Sequence, residues 1–484
     1  MKYKVFAQQS ILVFLANIII GFSGIILLPI LTRNLPLADY GLWVQMNVTI
    51  GLIPIFIVMG LPSYSMVRFL SGEHDKKRMQ EGFYSIAFFI FLNSLLVSLI
   101  LFIFSKQISQ IIFANNTLIV KILALILIFS SLNILFQYFF ITSQQIKRYS
   151  FLLCFKTFTQ ILLISGFIFF GKGVIGAAIG FLCNEILFFF TCFSIIYIEL
   201  GFICPHFQEL KKYLHLSIPT IPGSLSYWVV DSSDRYLIGI LLGVAFVGYY
   251  SPGYTLGAII AMFASPITSI LTASLSKSYN EKKENEVKDL LQYSIKYYLV
   301  VAIPATIGLA VLSKPLLTIL STTEIAMNSY MITPIVATGF LLLGLTNIIV
   351  NIIILKTETK IIGITWVVAS SLNIILNLVL IPIYGVVGAA LATLIAYTIP
   401  LIVITHFSFK YIKLDLNYYN FIKVFLASIP MIIIYQIWKP INIIDLLIFI
   451  LINSIFYLIL VIAFKVFTTD ELSLIWGILN LNSK

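Results

Sequence analysis

The chain is 484 residues long, 60% hydrophobic and only 10% charged, with a formal net charge of +11. A soluble globular domain devotes about 25% of its residues to charge, so that class is excluded. Runs such as 122–130 and 446–452 do not alternate apolar with polar residues, which excludes a closed membrane barrel and leaves helices that satisfy their own backbones in lipid.

In chain order, apolar stretches predict spans at 10–32, 41–62, 82–104, 119–141, 150–170, 174–199, 217–240, 247–275, 293–312, 331–355, 361–381, 385–406, 421–438 and 446–467. The first exceeds the apolar region of a secretory signal and lacks a small-residue cleavage pattern, so it reads as a retained helix. Asp231, Asp234 and Arg235 interrupt the seventh. The expected class is an all-α integral membrane protein of about fourteen transmembrane helices. Cys154, Cys183, Cys192 and Cys204 show no paired spacing, so neither a disulfide framework nor a metal site is expected.

Basic residues test this topology, because cytoplasmic loops collect Lys and Arg. With the N-terminus inside, inner connections hold Lys76, Lys77 and Arg78; Lys147 and Arg148; Lys211 and Lys212; Lys282 and Lys283; Lys356 and Lys360; and Lys410 and Lys413. Outer connections and helix ends hold Arg33, Lys106, Lys121, Lys172, Lys314 and Lys439. The alternation places both termini in the cytoplasm. It also accounts for the net charge without a nucleic-acid partner, since the positive loops face an anionic leaflet of the lipid bilayer.

The sequence repeats itself. GVIGAA at 173–178 matches GVVGAA at 385–390, 212 positions on, and QQIKRY at 144–149 falls on KTETKI at 356–361 at the same spacing. LPLADYGLW at 35–43 matches LGVAFVGYY at 242–250 at a spacing of 207, sharing Leu, Ala and Gly. Helices one to six therefore map onto seven to twelve as a parallel repeat, two lobes around a central cleft. The expected divisions are an N-lobe at 1–200, a C-lobe at 201–410, and two extra helices with a cytoplasmic tail at 411–484.

DSSDRYLIGILLGVAFVGYYSPGYTLG at 231–257, LTRNLPLADYGLW at 31–43 and the GVIGAA element resemble the polysaccharide-biosynthesis branch of the multidrug/oligosaccharidyl-lipid/polysaccharide exporter superfamily. Within it, the chain is most similar to O-antigen (Wzx-type) flippases, over essentially its whole length. The resemblance implies a flippase of lipopolysaccharide biosynthesis in a bacterial inner membrane. Its substrate would be an undecaprenyl-diphosphate-linked oligosaccharide, an O-antigen or similar repeat unit, moved from inner to outer leaflet by alternating access beside polysaccharide polymerase machinery. Related lipid II flippases use arginines in the first helix, whereas the span 10–32 carries no charge, so those roles do not transfer.

Ionisable residues at membrane depth are costly and mark cavities or partners. Lys156, Glu185, Asp231, Asp234 and Arg235 are the candidates, with Arg235 and Lys156 suited to a diphosphate. Asp231 and Arg235, four apart, share a helix face and can pair, while the resemblance implies an Asp234–Arg235 pair as a family feature without assigning it a role. Lys156 could instead snorkel to the inner headgroups, and the Asp231–Asp234–Arg235 group could serve the local fold. Glu185 is a candidate to bind a coupling H⁺ or Na⁺ or to pair with Lys156. Arg33 and Arg68, at helix ends, are cavity candidates or interfacial anchors. Tyr227 and Trp228 are candidate sugar contacts, and Asp39 a candidate helix cap. No cofactor is expected beyond the coupling ion.

Two rival readings remain, a multidrug or cation antiporter of the same superfamily and a polytopic polymerase or glycosyltransferase. The extra helices disfavour the first. The lack of a nucleophile–base pair, phosphate-cradling loop or metal-ligand spacing disfavours the second.

Overall fold

A computed structural model describes residues 2–73, 75–415, 418–469, 471 and 473; residues 474–484, the end of the expected tail, lie outside the described residues. Among the described residues there is no β-strand. The helices are α1 (Lys2–Asn34), α2 (Leu37–Val58), α3 (Val67–Leu70), α4 (Lys76–Ile103), α5 (Ser105–Ile112), α6 (Thr117–Thr142), α7 (Ile146–Phe169), α8 (Gly173–Leu200), α9 (Leu210–Ser217) and α10 (Ile221–Leu241). They continue with α11 (Val244–Ala258), α12 (Ala261–Asn280), α13 (Glu284–Leu320), α14 (Thr323–Ser329), α15 (Ile332–Leu355), α16 (Thr359–Tyr384), α17 (Val386–Tyr411), α18 (Tyr418–Ile437) and α19 (Ile443–Ala463).

Among the described residues, 12 helices are long and apolar enough to cross a bilayer, and the bent pair α11 and α12 raises this to 13. α10 has the length of a span but carries Asp231, Asp234 and Arg235, and with it the count reaches the expected fourteen or so. The all-α membrane class is what the apolar pattern predicts.

Packing repeats with the sequence. α1 packs on α7 as α10 packs on α16; α2 on α6 as α11 on α15; α4 on α6 as α13 on α15; α7 on α8 as α16 on α17. Buried side chains form one large cluster from Leu27 to Tyr213 and another from Val230 to Leu414. The halves meet chiefly where α2 touches α11 and α10. α18 lies against α13, and α19 against both.

The GVIGAA and GVVGAA elements do the same work in each half. A Cβ on Gly176 would stand 3.0 Å from the Phe167 carbonyl oxygen of α7, and one on Gly388 would stand 2.2 Å from the Leu380 carbonyl oxygen of α16. Small residues let these neighbouring backbones approach.

Three expectations need correction. The spans 41–62 and 247–275 are broken helices. α2 stops at Met59 and Gly60, both left-handed (φ 48° and 68°), and the chain resumes through a π-helical turn, Leu61–Met66, before α3. A left-handed residue ends the helical hydrogen-bond ladder and Pro62 contributes no donor to a new one. α11 and α12 meet at 42°. Next, the connection expected at 313–330 is largely helical, because α13 runs 37 residues to Leu320 and α14 follows. At 1.5 Å per residue α13 is about 55 Å long, well beyond a bilayer core, so part of it stands outside the membrane. Finally, Asp39 does not cap α2: Pro36 occupies that position and Asp39 lies in the first turn, where its charge favours the helix N-terminus.

Candidate functional site

Interruptions in the corresponding helices of two halves point to the region between them. The buried charge in the second half lies on α10, beside the contact with α2. Asp234 is fully buried and Arg235 only 8% exposed. Charge at that depth survives only when paired and hydrogen-bonded.

Helical spacing brings the partners together. Tyr250 and Tyr254, one turn apart on α11, face α10, and Thr393 and Tyr397, one turn apart on α17, close the other side. Arg235 donates from Nη1 to Asp234 Oδ1 at 3.0 Å and to the Asp231 carbonyl oxygen. Its guanidinium lies 3.8 Å from the centre of the Tyr254 ring and 5.7 Å from that of Tyr250. The Tyr250 hydroxyl donates to Asp234 Oδ2, with Thr393 Oγ1 at 3.5 Å from the same oxygen. Asp231 Oδ1 accepts from Tyr254 at 3.0 Å and Tyr397 at 3.3 Å. The partner of Arg235 is thus the Asp234 carboxylate, whereas the four-residue spacing predicts Asp231; Asp231 reaches Arg235 only through its main-chain oxygen.

Beside this group, Asn377 Nδ2 donates to Asn373 Oδ1 at 3.1 Å, leaving Asn373 Nδ2 and Asn377 Oδ1 buried without partners. Two bonds reach α10 from the first half: Gln45 Nε2 donates to the Arg235 carbonyl oxygen at 2.9 Å, and the Thr49 and Tyr236 hydroxyls meet at 2.6 Å.

Lys156 and Glu185 form a second buried group. Lys156 Nζ is 2.8 Å from Glu185 Oε1 and 5.0 Å from the centre of the Phe188 ring. Asn133 Nδ2 donates to Glu185 Oε2 at 2.7 Å, and Thr159 to Asn184 Oδ1 at 2.6 Å. Of the two readings of Glu185, pairing with Lys156 is the arrangement present. This group shares no partner with the Arg235 group.

The other candidates are dispersed. Arg33 donates to the Ser321 carbonyl oxygen at 3.2 Å and to that of Ile319, capping the C-terminal end of α13 from the opposite half. Arg68 is exposed on α3. Tyr227 packs edge-on against Trp366, with ring centres 5.2 Å apart. Trp228 turns the other way, toward Tyr236 and Gly51, its Nε1 without a partner.

Sequence reasoning missed Tyr250, Tyr254, Thr393, Tyr397, Asn373, Asn377, Asn133 and Gln45. The asparagines carried a signal, since each interrupts an apolar span. The tyrosines carried none beyond their four-residue spacing, because tyrosine is ordinary in membrane helices.

Residues 30–325 match a family model described as "Polysaccharide biosynthesis protein". A stretch of 215 residues, 44% of the chain, is 23% identical to a "Probable low-salt glycan biosynthesis flippase Agl15" of Haloferax volcanii, and covers 45% of that protein. Another of 170 residues is 26% identical to a "Probable flippase AglR" of the same organism, covering 34% of this chain and 35% of the relative. The chain thus spans under half the length of these curated relatives in the matches. Among solved structures, "Lipid II flippase MurJ, inward closed conformation" superposes with a TM-score of 0.76 at 22% identity, over 95% of this chain and 99% of that one. An inward-facing multidrug resistance MATE family transporter of the MOP superfamily gives 0.62 at 16% identity, over 78% and 93%. These likenesses establish the fold.

Proposed function

The chain belongs to the polysaccharide biosynthesis protein family, and we propose that it is a flippase for a lipid-linked oligosaccharide. The observation that carries this reading is the paired charge Arg235–Asp234, buried where α10 meets α2 at the junction of two repeat-related halves. A cargo with an anionic diphosphate needs a cation at membrane depth, and a guanidinium offers a planar fork to phosphate oxygens. Rocking of the halves about the breaks after Val58 and Ala258 would expose that region alternately to each leaflet.

The finer reading takes an undecaprenyl-diphosphate carrier, an O-antigen or similar repeat unit, lobes at 1–200 and 201–410, and a bacterial inner membrane with both termini cytoplasmic. Polysaccharide polymerase machinery would receive the flipped unit. Coupling to H⁺ or Na⁺ would use the Asp234 carboxylate with Thr393, Asn373 and Asn377, whose oxygens are of the kind that hold a hard cation.

The test is deletion of the gene followed by mass analysis of lipid-linked sugars. Accumulation of a complete repeat unit on the cytoplasmic leaflet, relieved by the intact gene, is expected. Normal outer glycan in the deletion strain would overturn the reading, and export of a cationic drug with no change in glycan would transfer the protein to the antiporter class.

A further inference from the structure

We propose that α9, the short helix joining the two halves, is a docking site for an anionic phospholipid headgroup of the bilayer leaflet it lies against. α9 spans only Leu210–Ser217, too short to cross a membrane. One face is fixed to the protein: Tyr213 and Ser217 are buried, and Ser65 Oγ donates to the Tyr213 carbonyl oxygen at 2.5 Å. The opposite face presents Lys211, Lys212 and His215, with Leu216 and the adjoining Ile218 exposed by 41% and 46%. Gln208, Lys211, Lys212, His215 and Leu216 line a shallow open hollow of 670 Å³.

The side chains differ in how far they are committed. Lys212 Nζ lies 3.0 Å from Glu209 and 4.6 Å from the centre of the Phe69 ring. Lys211 and His215, one turn apart on the same face, make no hydrogen bond or ion pair among the described residues. An ammonium acts on phosphate as a compact point charge, so the hollow is complementary to an anion. The exposed Leu216 and Ile218 specify the kind of anion, because a helix with basic and apolar residues side by side beds into the headgroup boundary. A free phosphate ion would satisfy the lysines and leave the apolar pair in water; a phospholipid satisfies both.

The location gives the site a consequence. The segment α9 holds, Leu61–Met66, follows the break in the second helix, and Ser217 and Thr220 crowd Gly60 at that break. A lipid bound on α9 would therefore bias the hinge from the membrane side.

Native mass spectrometry of the intact protein, titrated with phosphatidylglycerol, phosphatidylcholine or a polyprenyl diphosphate, tests it. The double variant Lys211→Gln/His215→Gln should bind phosphatidylglycerol roughly fivefold more weakly, as expected for the loss of one juxtamembrane lysine charge, with phosphatidylcholine binding unchanged. The control Lys282→Gln/Lys283→Gln, on another basic loop, should bind like the parent. Equal loss in the control would reduce the effect to general surface charge and overturn the site, as would unchanged phosphatidylglycerol binding. A loss confined to the polyprenyl diphosphate would assign α9 to the cargo and overturn the bilayer-lipid assignment.

Discussion

Gly41 and Gly248 make reciprocal contacts across the two halves: a Cβ on Gly41 would stand 2.1 Å from the Val244 carbonyl oxygen, and one on Gly248 would stand 2.6 Å from the Leu37 carbonyl oxygen. Both steps, Gly41 to Gly248 and Leu37 to Val244, are the 207-residue step of the sequence repeat, so the contact is a local two-fold made of backbone. It lies at the end that the basic residues assign to the outer face, beside the bonds from Arg33 to the end of α13. No side chain can enter it without parting α2 and α11.

Substitution of either glycine by alanine should therefore open this end. Overpacking of this kind costs about 1–3 kcal/mol, enough to change the population of a closed state without unfolding the protein. Spin labels at Asn34 and Phe246 should report a longer and broader distance distribution in Gly41→Ala and Gly248→Ala than in the parent. An unchanged distribution at normal abundance would show that the contact does not hold the halves together.

Within each half, the repeat makes a matched pair of predictions. Gly388→Leu and Gly176→Leu both drive a side chain into the backbone of the preceding span, so both should lower membrane abundance. The losses should be comparable, since a Cβ at Gly388 meets the Leu380 carbonyl oxygen at 2.2 Å and one at Gly176 meets the Lys172 Cβ at 2.4 Å and the Phe167 carbonyl oxygen at 3.0 Å. Comparable abundance of both variants and the parent, measured by quantitative blotting, would remove any present packing role for the motif.

A pH-dependent contact fastens the chain after α19. Lys296 Nζ lies 2.8 and 2.7 Å from the two carboxylate oxygens of Glu471, while Thr468 and Glu471 exchange side-chain and backbone bonds as a capping box. Burial alone would raise the Glu471 carboxyl, but the Lys296 bond, the Thr468 N–H, the Lys296 charge and the Tyr297 hydroxyl outweigh it and hold it below its ordinary 4.5. A folded-state pKa below the unfolded one contributes stability that is present above the unfolded pKa and lost as pH falls through the folded pKa. Protease sensitivity after Phe464 should therefore rise below pH 4.5 in the parent and be high and independent of pH in Glu471→Gln. A flat parent profile would count against the contact.

The Lys156–Glu185 pair separates a structural ion pair from a functional cation. Removal of one member of a buried pair costs about 3–5 kcal/mol, whereas removal of both is often nearly neutral. Lys156→Met and Glu185→Gln should each reduce abundance, and the double variant should restore it. If the restored protein still fails to move lipid-linked sugar, Lys156 acts on the cargo or its coupling; full activity would make the pair a packing device. A double variant less abundant than either single would contradict the pairing itself.

Much of this was legible because the membrane imposes few choices. Apolar length located the spans, and the GVIGAA and LPLADYGLW echoes set the repeat. The breaks at Met59–Gly60 and after Ala258 were hidden because their residues, Met, Gly, Ile and Ala, are as apolar as a continuous span and only backbone angles betray them. Spacing alone points Arg235 to Asp231 because it describes Cβ positions: the guanidinium, drawn over the Tyr254 ring, reaches the adjacent Asp234, the pair that the family resemblance implies, and only the main chain of Asp231. Tyr250, Thr393 and Tyr397 come from other helices, so no local pattern in the chain around residue 235 could have named them.

Arg235 decides between cargo recognition and local architecture, and its surroundings dictate how it must be tested. Arg235→Ala leaves Asp234 buried without its cation, so loss of protein is expected whatever else Arg235 does. Arg235→Lys keeps the charge but loses the planar stack on Tyr254 and the forked donors; abundance should stay near the parent and transport should fall only in part. The sharper variant removes both charges. Asp234→Asn/Arg235→Gln leaves hydrogen-bonding groups toward Tyr250 and Thr393, removes one charge of each sign and keeps the Asp231 carboxylate on its Tyr254 and Tyr397 hydroxyls, so abundance should recover relative to Arg235→Ala. If Arg235 meets the diphosphate, this recovered protein should still accumulate cargo on the inner leaflet, and its affinity for a polyprenyl diphosphate should drop far more than its affinity for the uncharged polyprenol. Transport that returns in step with abundance, with diphosphate affinity unchanged, would assign Arg235 to the fold and send the search for the phosphate site elsewhere, first to Lys156.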